Sequence, residues 1–128
     1  MMKIKLIAII AFVLAANSLL AQYSANKWPA LKEFHAVISQ TFHPSKEGNL
    51  APIKARSEEL MTKAKALLKS DIPAEFRTKS ILDSAEKLEV KTKSLHRMVV
   101  AQASDADITK ALVDIHDIFH EIAGQCSH

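Results

Sequence analysis

Between positions 28 and 122 the apolar residues of this chain recur in steps of three and four, and nowhere do they alternate with polar ones for long. That period belongs to helices with one buried face, not to half-buried strands. Composition points the same way. Glycine is confined to Gly48 and Gly124, and Ala, Leu, Lys and Glu dominate. The chain is expected to be all-α.

Four segments carry the pattern. Pro29 suits a first helical turn, and Trp28, Leu31, Phe34, His35, Ile38 and Phe42 fall in one arc about 120° wide, which predicts a helix over 27–42. The stretch 43–52, with Pro44, Gly48 and Asn49, is expected to stop it. A second helix over 52–69 buries Ile53, Leu60, Ala64 and Leu67, flanked by Met61 and Leu68. Pro73 interrupts and starts a short turn. A third helix over 78–101 turns Ile81, Ala85, Leu88, Thr92, Leu95 and Val99 inward. Ser104 followed by Asp107 is a capping-box variant that opens a fourth helix over 105–123. There Ile108, Leu112, Ile115, Phe119 and Ile122 form a narrow seam, and Gly124 is a natural stop. Short joints between such helices predict an antiparallel up-down-up-down four-helix bundle, crossing at about 20°.

The first 21 residues stand apart. Lys3 and Lys5 precede an apolar run over 4–16, and Ala21 offers a small residue before Gln22. That is the layout of a cleaved signal peptide, so the bundle is expected to occupy 22–128 and the protein to be periplasmic or secreted, with no stable membrane insertion after cleavage. Without Lys3 and Lys5 the charge falls from +3 to about +1, with 15 basic against 14 acidic side chains. No sustained basic surface of the kind nucleic acid requires is present. Cys126 is the sole cysteine, which excludes an intramolecular disulfide and leaves a thiol able to link two chains as a homodimer.

Chemistry in this sequence lies with its histidines. His116 and His120 are four apart on the fourth helix and can present nitrogens to one ion, while His35 lies within the apolar arc of the first. If Trp28 is level with Ala123 in antiparallel helices, His35 comes level with His116, with His120 about one turn, roughly 6 Å, away. Neutral imidazole suits zinc, copper, nickel and iron. The expected metal ligands are therefore His35, His116 and His120. Against this, His116 and His120 lie about 80° and 120° from the middle of the apolar seam, where solvated boundary residues are common. A lone core histidine is usually just a satisfied polar residue. His43 and His96 form a weaker second group at one end of the bundle.

The string HDIFH over 116–120 invites comparison with the HExxH of zinc peptidases, where the glutamate activates water. Asp117 takes that place, is one methylene shorter, and points away from the core. A metal-assisted hydrolase is the remotest alternative, and no catalytic residue is assigned. No phosphate loop, nucleophile elbow or paired Glu-x-x-His motif is present.

With its histidine-bearing last helix, the mature chain resembles the four-helix cytochromes, cytochrome c prime and its b-type relatives. The resemblance implies a haem held in the bundle. The C-x-x-C-H attachment motif is lacking, since only Cys126 precedes Ser127 and His128, so covalent attachment through two thioethers is excluded. A non-covalent haem b would be held by His120, in the place of the relatives' late histidine, with His35 opposite. The expectation is an exported, non-enzymatic bundle that binds a transition metal (zinc, copper or iron) or haem and serves a redox or chaperone partner. The alternative is the same bundle without cofactor, acting in stress or interaction through its surface.

Overall fold

A computed structural model describes residues 27–124. Among them are four α-helices, α1 (Pro29–Lys46), α2 (Ala51–Lys69), α3 (Lys79–Val100) and α4 (Asp105–Ala123), with a 3₁₀ turn at Ala74–Phe76 and no strand. Each helix packs on the next, and α4 closes the ring against α1, which gives the expected all-α four-helix bundle. No helix among the described residues is long and apolar enough to cross a membrane. The signal peptide over 1–21, and Cys126 and His128, lie outside the described residues.

Cross-helix contacts fix the antiparallel order. Lys63 of α2 pairs with Glu33 of α1 while Arg56 donates to Gln40, so numbers fall on one helix as they rise on the other. The start of α1 is pinned to the far end of α2, where the Trp28 indole donates to Ser70 Oγ at 2.8 Å and its ring packs on Phe76 of the 3₁₀ turn at 5.3 Å. Trp28 is wholly buried there. It satisfies its one polar atom as a buried indole must.

The helix ends follow local chemistry. Thr78 and Ser104 accept the N–H of Ile81 and Asp107, capping α3 and α4. Gly124, at φ 68°, ends α4. One boundary differs from expectation. Helix α1 does not stop at Phe42 but runs through Pro44 to Lys46. The ring forfeits only its own N–H bond, and the stop comes a turn later. There Asn49 donates to Pro44 O and Gly48 to Ser45 O, with Gly48 at φ 87°. This is the paired closure that favours glycine.

The buried side chains are nearly those of the periodic seams. Ile53, Leu60, Ala64 and Leu67 of α2, Ala85, Leu88, Thr92 and Leu95 of α3, and all five seam residues of α4 are sealed from solvent. Helix α1 also buries Thr41, and its extra turn adds Ser45. Their hydroxyls donate to the Val37 and Phe42 carbonyls, which removes the cost of burying them.

Candidate metal centre between α1 and α4

The seam between α1 and α4 is the sparsest of the four helix interfaces, and rings fill it. His35 of α1 lies nearly flat on Phe119 of α4, at 5.0 Å and 14°, and Phe119 also meets Phe34 at 5.7 Å. Further along, His116 of α4 lies on Phe42 of α1 at 3.7 Å and 4°. Bulky residues at a helix contact hold the axes apart, which accounts for the loose backbone approach.

The three expected ligands are thus gathered in one seam, in a different register from the one the matched ends suggested. His35 is level with Phe119 and its neighbour His120, and His116 is level with Phe42, about one turn beyond. Trp28 docks on α2 and the 3₁₀ turn, and the stacked rings set the heights at which the histidines meet. His116 is no solvated boundary residue. At 9% exposure, with Nε2 sealed from solvent, it shows that the buried stripe of α4 widens towards α1.

His116 and His120, one turn apart, bring their rings to 4.5 Å at 80°. The Nδ1 of His120 lies 3.3 Å from the carbonyl of Gly124. A carbonyl only accepts, so that contact makes Nδ1 the protonated nitrogen. In the neutral imidazole the lone pair is then on Nε2, the form a metal ligand needs. Burial holds the pKa of His35 below the ordinary histidine value, and the charges of His120 and then His43 depress it further. His35 is therefore biased to the neutral, ligating form. Stacking on a phenyl face leaves the in-plane nitrogens of an imidazole able to coordinate.

Among the described residues no three of His, Cys, Asp or Glu already stand around one point as a metal site would require. The cluster is a close pair on α4 with a third imidazole facing it from α1. The second group has contacts on different helices. His43 meets Phe42 edge-on at 5.9 Å and adds its charge to the first cluster, whereas His96 Nδ1 lies 2.9 Å from Ser57 Oγ on α2.

Haem fits this seam poorly. Phe34, Phe42 and Phe119 fill the space beside the histidines and are almost wholly buried, so a macrocycle would have to displace them. A bare ion needs no such room. The hydrolase alternative also loses its geometry, because Asp117 is exposed and lines a groove with Lys87, Lys91 and Asp114 against α3, while His116 faces α1. No protein family, curated protein or solved structure matches the chain, so fold and site must speak for themselves.

Proposed function

We propose that this protein is an exported, non-enzymatic bundle that binds a transition-metal ion, zinc or copper in the first instance, through His116 and His120 of α4 and His35 of α1. The observation that carries this is the His116–His120 ring pair at 4.5 Å, with the His120 Nδ1 engaged by a backbone carbonyl. Imidazole nitrogens of borderline softness favour zinc, copper, nickel and iron over calcium or magnesium. The leader-like segment over 1–21 supports export to a compartment where such ions are acquired or buffered.

Calorimetric titration of the mature protein with zinc and with copper tests the proposal. One saturable site is expected in the wild type, with affinity falling at least about tenfold in His120→Ala and His116→Ala. Circular dichroism confirms that each variant is folded. Equal heats in wild type and both variants would end the proposal. A Soret band on haemin addition, lost in His120→Ala, would restore haem in place of the bare ion.

A further inference from the structure

Opposite charges line the groove between α3 and α4 without meeting. Lys87 and Lys91 stand one turn apart on α3, Asp114 and Asp117 lie nearly a turn apart on α4, and Ile118 completes a groove of about 360 Å³. None of the four enters an ion pair among the described residues. Other borders of the bundle do pair their charges, Lys63 with Glu33 between α2 and α1 and Lys54 with Asp105 between α2 and α4. Beside the lysines Val90 is 61% exposed, in a second groove that shares Lys87 and Lys91 with the first and adds Asp83 and Glu86.

Two cations and two anions in one groove give a uniformly charged ligand, such as a nucleic acid or an anionic membrane, as much repulsion as attraction. The matching surface must carry the same two signs transposed. A second copy of this chain carries them. We infer that the α3–α4 face is a self-complementary surface on which two copies associate about a two-fold axis running along the groove. Rotation about that axis lays each copy's α3 over the other's α4, so Lys87 and Lys91 of each stand across from Asp114 and Asp117 of the other. The same rotation covers Val90, whose apolar surface is otherwise given to water. Exposed ion pairs contribute little each, so the dimer is weak, reversible and sensitive to salt.

Analytical ultracentrifugation of the mature, metal-free chain tests this, with reductant present so that Cys126 cannot link two chains. Over about 10 μM to about 1 mM the wild type should pass from monomer to dimer at low salt. Its association constant should fall at least about tenfold at 0.5 M salt, and an unchanged constant would overturn the pairing. Lys87→Glu with Lys91→Glu makes the face wholly acidic, and Asp114→Lys with Asp117→Lys makes it wholly basic. Each double variant, shown folded by circular dichroism, should lose at least about tenfold in self-association, while a mixture of the two forms a one-to-one dimer. Lys32→Glu with Lys65→Glu, exposed on α1 and α2, should behave as the wild type. A monomer at every concentration would overturn the pairing and leave the face to a different protein. Association unchanged in either α3–α4 variant, a mixture that stays monomeric, or an equal loss in the Lys32 and Lys65 variant would overturn it as well.

Discussion

The two sides of this bundle are built from different side chains. The buried residues of α2 and α3 are Ile53, Ser57, Leu60, Ala64 and Leu67 and Ser84, Ala85, Leu88, Thr92 and Leu95, and the half-buried imidazole of His96 meets Ser57 between the two helices. Where α1 meets α4 the contact is made by Phe34, Phe42, His35, Phe119 and His116. Small and aliphatic residues let helices approach closely, and rings hold them apart. The close side supplies rigidity. The wide side places polar nitrogens inside a helical protein without a loop or a cleft.

Truncation at the wide side is the largest effect expected. Phe119→Ala removes the ring on which both Phe34 and His35 rest, and should cost about 3–5 kcal/mol in urea unfolding. A cost below about 1 kcal/mol would mean that the seam collapses freely and is not held open by its rings. Overfilling should discriminate between the sides. Ala85→Leu, at a fully buried site of α3, is expected to cost about 1–3 kcal/mol, whereas His35→Phe in the half-buried, ring-lined seam should stay within about 1 kcal/mol. Equal penalties would abolish the distinction.

The joints repeat the contrast on a smaller scale. Both α1 and α3 close with the same pair of backbone bonds, but α1 does so over Gly48 and α3 over Gln102, at φ 57°. A side chain in that left-handed region is strained, so Gln102→Gly should raise stability by about 0.5–1 kcal/mol, read as a higher thermal midpoint. The least effect is acid sensitivity of the metal-free protein. Folding lowers the pKa of His35, so the unfolded chain binds the proton more readily. Its contribution is whole above the unfolded value of 6.5 and is lost as pH falls from there towards the depressed folded value. His35→Phe should flatten that part of the stability–pH curve. An unchanged slope would assign it to another group.

Much of the fold was legible because it is written in short-range terms. The Ser104–Asp107 cap, the stop at Gly124, the turn after Pro73 and the seams of α2, α3 and α4 all follow from residues within a few positions of one another. The extension of α1 to Lys46 was hidden, because Pro44 reads as a breaker while the bonds that close the helix lie beyond it at Gly48 and Asn49. At the site, the three histidines were visible as residue types on the right helices. Their order along the seam was not, nor the stacking of His35 on Phe119 and of His116 on Phe42.

The sequence by itself determined four helices, their buried faces and the pairing of His116 with His120, since helical period and capping act within a turn or two of chain. The tertiary structure alone decided that His116 is buried, that His35 comes level with His120, and that rings separate α1 from α4. Those outcomes depend on how side chains some eighty residues apart fill a shared space, and the periodicity of one helix carries no information about the height of its neighbour.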